Sequence, residues 1–120
     1  MSLDPFYSIT LKTDTDGSGD GTDARIAQGF VEAIKVDFAA GTDAGADTTL
    51  VDHLGRTLVT ITNSKTDIWI YPRLEETSNA GVGLGTYTRP LVNGGLTLTI
   101  AQGGATVTDA VTLTVQLSTR

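Results

Sequence analysis

The sequence predicts an all-β fold, a single antiparallel β-sandwich, jelly-roll-like or a Greek-key barrel, of about seven or eight strands. Three observations carry this. Thr alternates with Val, Leu and Ile in runs such as "LTLTI" and "VTLTV", the period of a pleated strand with one wet face. Clusters of Gly, Asp and Asn separate these runs at short intervals, as turns require. The chain has 120 residues, of which only 18% are charged, so it lacks the charge density of a disordered segment and is long enough for one core. One domain is expected over residues 1–120, with residues 1–5 as an N-terminal arm.

Each element follows from its own pattern. In "FYSITLK" Ile9 and Leu11 face one way and Ser8, Thr10 and Lys12 the other, which predicts the first strand. The acidic stretch "DTDGSGDGTD" follows. "ARIAQGFVEAIKVDF" fits both a helical stripe and alternation; strand is favoured over at least Val31 to Phe38, because Gly29 would weaken a helix and Ile34 and Val36 are β-branched. "AAGTDAGADT" is a loop. "TLVD" and "RTLVTITN" predict a hairpin turning at Leu54 and Gly55, with Leu50 and Leu58 in the core. "TDIWIYPR" sets Ile68 and Ile70 against Trp69 and Tyr71 and ends at Pro72, which cannot donate to a ladder. Residues 72–95 keep no period and predict a long Gly/Pro-rich loop. "LTLTIAQGGATVTDAVTLTVQLSTR" reads as the clearest hairpin, turning over Gln102 to Ala105.

Charge bounds the partners. The net charge of −6 repels phosphate backbones and anionic headgroups, and the Lys and Arg residues are never adjacent, so neither nucleic acid nor membrane is an expected partner. The start "MSLDPFYSIT" lacks the basic and apolar segments of a secretory signal, and no apolar run approaches membrane-spanning length, which makes cytoplasmic synthesis the expectation. Cysteine is absent, so disulfides and thiolate metal sites are excluded.

The acidic stretch fails the pattern of a calcium loop. Beginning at Asp14 it puts Gly19 at the sixth position of an EF-hand loop but Arg25 at the twelfth; beginning at Asp16 it puts Ala27 there. Both registers lack the closing bidentate Glu. A β-hairpin loop explains the composition better, since Gly supplies positive φ and Asp bonds its own backbone in turns. Asp14, Asp16, Asp20 and Asp23 remain weak candidates for a non-EF calcium contact.

Other motifs carry less. His53, the single histidine, sits in a predicted turn, and its neighbour Asp52 would point to the opposite face of a strand, so the two make no dyad. Glu75 and Glu76 are adjacent acids with nothing to hold a working separation. "GVGLG" lacks the helix and Lys-Ser/Thr pair of a phosphate loop. No enzyme mechanism can be assembled, and no cofactor is implied. Trp69 is expected in the core. Arg73, Tyr87 and Arg89, with Phe6, are the candidates for a contact surface, because Arg and aromatic groups dominate interface energetics.

The order "TDGSGDGT", "GFVEAIKVDF", "TDAGADTTLVDHLGRTLVTITNSKTDIWIYPR", a Gly-rich loop, "NGGLTLTIAQGG" and a closing Val/Thr strand resembles small virion structural proteins of tailed bacteriophages, over about Ile9 to Leu117. The resemblance implies a capsid decoration or cement protein that binds the outside of the assembled shell. It implies the major capsid protein as partner, a homo-trimer or other symmetric homo-oligomer, the virion exterior as location and no catalytic residues. "YPRLEE" and "YTRPLVNGG" would be the loops that meet a neighbour.

Two other classes stay open. A receptor- or carbohydrate-binding β-sandwich of a head or tail fibre would use Trp69, Tyr71 and the acidic loop, and it expects an exposed aromatic platform where the cement reading expects a buried Trp. A calcium-stabilised adhesion module would use the acidic loop alone.

Overall fold

The long second strand organises the molecule. In the computed structural model, which describes residues 6–119, the chain forms nine strands and no helix among those residues. They are β1 (Phe6–Thr13), β2 (Gly21–Phe38), β3 (Asp47–Val51), β4 (Thr57–Ile61), β5 (Ile68–Ile70), β6 (Leu74–Thr77), β7 (Gly83–Thr88), β8 (Leu91–Ala101) and β9 (Val111–Ser118). The arm expected at residues 1–5 lies outside the described residues.

Seven strands form one curled sheet in the order β1-β9-β2-β8-β3-β4, with β5 also on β2, and every pairing is antiparallel. Strand β2 runs 18 residues because it serves two layers. Its first half, Gly21 to Phe30, pairs with β8; its second half, Phe30 to Phe38, pairs with β9 on one side and β5 on the other. The change of layer falls at Gly29, with φ +121, and at a register shift between Val31 and Ala33. A bulge and a glycine at a corner are how a strand passes from one sheet of a sandwich to the other.

The two halves enclose one core. Alternate residues point inward from each strand: Leu11 from β1, Ile34 and Val36 from β2, Leu50 from β3, Leu96, Leu98 and Ile100 from β8, and Val111 to Leu117 in steps of two from β9. Each fully buried Leu, Ile or Val contributes about 1.5–3 kcal/mol relative to exposure. Leu50 and Leu58 are buried as the alternation predicts, and β3 and β4 form the expected hairpin, with Gly55 at φ +84 in its turn.

Four expectations are corrected. The stretch 96–117 is not a hairpin: β8 and β9 do not pair, because β2 lies between them. Alternation fixes which face of each strand is wet but not which strand lies beside it. The acidic stretch does connect strands, yet β1 and β2 share no ladder. Side chains bridge them instead, with the Lys12 N–H donating to Asp23 Oδ2 at 2.9 Å and the Gln28 N–H to the Tyr7 hydroxyl at 3.0 Å. Residues 72–95 are not one loop, since they hold β6, β7 and the start of β8. Trp69 is not in the core; it lies 52% exposed on edge strand β5.

Strands β6 and β7 pair only with each other and stand outside the curled sheet. Their turn closes through bonds between Ser78 and Val82. Because both faces of this hairpin are wet, its sequence carries no alternation, which is why it read as a loop.

Candidate functional site

Two exposed features separate this molecule from a bare β-sandwich. The first is the β6–β7 arm. Every residue of β7 is exposed, and Val82, Leu84 and Tyr87 show 62%, 58% and 62% of their surface. An isolated two-stranded hairpin is marginal in water, so the foot of the arm is fastened. Arg89, just after β7, forms an ion pair with Glu32 and stacks on Phe30 with its guanidinium carbon 4.5 Å from the ring centroid. Arg73, just before β6, donates to the Glu32 carbonyl at 3.3 Å. Both arginines therefore meet the corner of β2. Phe6 and Leu91 share this corner, since Phe30 is paired with Leu91 and, across Ser118, lies in the row of Phe6.

The structure thus gathers three of the four contact candidates, Phe6, Arg73 and Arg89, around Glu32 and Phe30, and places Tyr87 out on the arm. Sequence reasoning missed Glu32, Phe30 and Leu91. The only signal for Glu32 was a single acid inside an otherwise apolar run, and that is too common to single out.

The second feature is the edge strand β5. Its Trp69 is paired with Lys35, whose ammonium lies 6.0 Å from the indole centroid. Beside them a groove of about 470 Å³ is lined by Lys35, Val36, Asp37, Asp67, Ile68 and Trp69. Asp67 Oδ1 accepts the Phe38 N–H at 2.8 Å, and Lys35 lies 3.9 Å from Asp37. An exposed indole beside one Lys and two Asp presents an apolar flat surface with polar groups at its margin. Tyr71 is exposed as well.

The aspartates of the acidic stretch are not brought to this groove or to one another's service. Asp14 accepts the Asp109 N–H, Asp20 accepts the Gln102 N–H at 3.3 Å, and Asp23 takes Lys12 N–H and Arg25. Asp16 Oδ1 accepts the Ser18 N–H at 2.8 Å and the Ser18 hydroxyl, and these bonds hold its carboxyl below the usual range. Asp16 ties its own turn, while Asp14, Asp20 and Asp23 tie the stretch to the segments before β9, after β8 and in β1. Among the described residues no group of three or more His, Asp or Glu is placed to hold a metal ion.

The remaining candidates separate. His53 is exposed in the β3–β4 turn, while Asp52 is buried. Asp52 Oδ1 accepts the Leu54 and Arg56 N–H groups at 3.0 and 2.8 Å, and its Oδ2 accepts Arg56 Nε at 2.6 Å. Burial pushes this carboxyl up, but the bonds from Arg56 and Leu54 outweigh it and hold it below the ordinary carboxylate value. Glu75 accepts the Gly85 N–H and Glu76 the Thr86 hydroxyl across the arm, so each acid ties the two strands of the arm together.

Neither a protein-family model nor a curated protein matches this chain. Among solved structures it is similar to the serine protease of Aeromonas sobria, with TM-score 0.44 and 12% identity over 98% of this chain and 28% of that one. It is similar to FLHE, with TM-score 0.41 and 12% identity over 94% of each chain. It is also similar to VP2 of the infectious bursal disease virus subviral particle, with TM-score 0.37 and 15% identity over 94% of this chain and 32% of that one. The chain spans 28% of the protease and 32% of VP2, and at these values none of the three assigns an activity or partner to it.

Proposed function

We propose that this chain is a non-enzymatic virion structural protein of the tailed-phage kind, a capsid decoration protein that binds the outer surface of the shell and stabilises it. The observation that carries the reading is the β6–β7 arm. It displays Val82, Leu84 and Tyr87 to solvent while its foot is fixed to the body through Arg73, Arg89 and Glu32. Covering each of those side chains on a partner is worth about 1–2 kcal/mol, in proportion to the surface still exposed. Such a contact is weak alone and strong on a lattice, where symmetric copies add through avidity. Binding only the assembled lattice would raise the free energy needed to take it apart. The net charge of −6 suits a protein that must not adhere to genome or other polyanions. The test is to add purified protein to expanded capsids assembled without it. Saturable binding with a raised disruption temperature is expected, and absence of binding to both immature and expanded shells removes the assignment.

One observation favours a second reading. The exposure of Trp69 is what a receptor- or carbohydrate-binding β-sandwich of a fibre expects, and it runs against the buried Trp of the cement reading. The two are compatible in one molecule, because the arm and the edge strand are separate surfaces.

A further inference from the structure

We propose that the outer face of strands β5, β2, β9 and β1 is a platform for a neutral polysaccharide, with Trp69 as its stacking residue. This rests on the carbohydrate-binding reading and names the ligand class and the site, which differs from the one expected from sequence because the acidic loop takes no part.

The pairing registers place one continuous row across the face: Trp69 opposite Lys35, Lys35 opposite Thr114, and Thr114 opposite Thr10. Residues opposite one another in antiparallel strands point to the same side. Three inter-strand steps of about 4.8 Å make this row about 14 Å long, enough for a short oligosaccharide lying across the strands. The adjacent row carries Gln116 and Ser8 opposite Ala33. Beyond Trp69 and Lys35 these two rows carry the hydroxyls of Thr114, Thr10 and Ser8 and the amide of Gln116, groups that both donate and accept.

That chemistry distinguishes the occupant. A protein partner would be met by an apolar centre with a polar rim, whereas here the exposed apolar side chains, Trp69 and Ile68 of β5, lie at one end of the row. The charges nearly cancel as well, with Lys12 3.7 Å from Asp109, Lys35 3.9 Å from Asp37 and Asp67 beside the groove, although the whole chain carries −6. A neutral chain of sugar rings matches both facts. Its C–H faces lie against the electron-rich indole face, and its hydroxyls exchange hydrogen bonds with Thr, Gln, Lys and Asp. An anionic glycan would meet no net positive charge.

Trp69 is the only tryptophan in the chain, so its emission reports directly on the site. The full chain is run in affinity gels containing hydroxyethylcellulose, laminarin, galactomannan or dextran, and separately polygalacturonate or heparin, with emission spectra taken alongside. At least one neutral polymer is expected to retard migration and shift the emission to the blue. Trp69→Ala is expected to weaken retardation about tenfold or more with unchanged circular dichroism. Should that variant fail to fold, Thr10→Glu at the exposed far end of the row is expected to weaken it too. Retardation by the anionic polymers alone overturns the neutral assignment and leaves the carbohydrate reading standing. No retardation by any polymer overturns both. Full retardation of folded Trp69→Ala overturns the site, as does a blue shift that grows with protein concentration in the absence of polymer, which would mean that a second copy covers the ring.

Discussion

Gly29→Ala is the perturbation that tests the bent strand. Gly29 has φ +121, and a Cβ built there would lie 2.5 Å from the Ser118 carbonyl oxygen, a backbone atom of β9 that cannot rotate away. Two costs combine. A non-glycine residue held in so sparsely populated a conformation costs about 1–3 kcal/mol, and forcing a methyl group against packed backbone costs about 1–3 kcal/mol more. The sum is about 2–6 kcal/mol. At about 4 °C per kcal/mol for a domain of this size, the midpoint should fall by about 8–24 °C. Thermal denaturation followed by circular dichroism measures it, with Gly17→Ala as the control. Gly17 has no atom within 4 Å of its built Cβ and no positive φ, so that variant should stay within about 0.5 kcal/mol of the parent. Equal midpoints for the two variants would mean that β2 does not turn sharply at residue 29, and the two-layer account of the fold would fail.

Further tests address the turn, the arm and the acidic stretch. Asp52→Asn keeps one acceptor but turns an amide toward Arg56 Nε, and should destabilise by about 1.5–3 kcal/mol at pH 7. Because the folded carboxyl titrates below its unfolded value, its contribution is present above about pH 4 and lost as pH falls further. The gap in midpoint between parent and variant should therefore narrow as pH falls below about 4, and a gap independent of pH would contradict the bonding at Asp52. Arg89→Ala removes a half-exposed ion pair and a stacked cation, so the domain midpoint should move by about 1 kcal/mol or less, while capsid association falls about tenfold because the arm loses its fastening. The reverse pattern would make Arg89 a residue of stability alone. A chelator titration should leave the melting temperature unchanged; a fall would revive the acidic stretch as a calcium site.

The parts of the fold legible in the sequence are those with one wet face. Leu96, Leu98 and Ile100 alternate with Thr because β8 has solvent on its outer side, and the same holds for β9. Partnership was not legible: the insertion of β2 between β8 and β9 depends on contacts far apart in the chain, which no local period records. The arm was illegible for the opposite reason, since neither of its faces is buried. Trp69 shows a third limit. Alternation separates Ile68 and Ile70 from Trp69, but both sets are apolar, and only the structure shows that Ile70 packs against the core while Trp69 faces out. In the site, Arg73 and Arg89 could be picked out by residue type, whereas their shared anchor Glu32 lies far away in sequence and carries no mark of its role.

The most direct test of the account is excision of the arm. Strands β6 and β7 pair with nothing else, so replacing residues 75–87 by a short Gly-Ser link should leave the circular dichroism β-type and the midpoint within a few degrees of the parent. Co-sedimentation of this variant with expanded capsids is the measurement. Loss of binding with the fold intact is the expected result, and undiminished binding would contradict the claim that the protein works by docking through this arm.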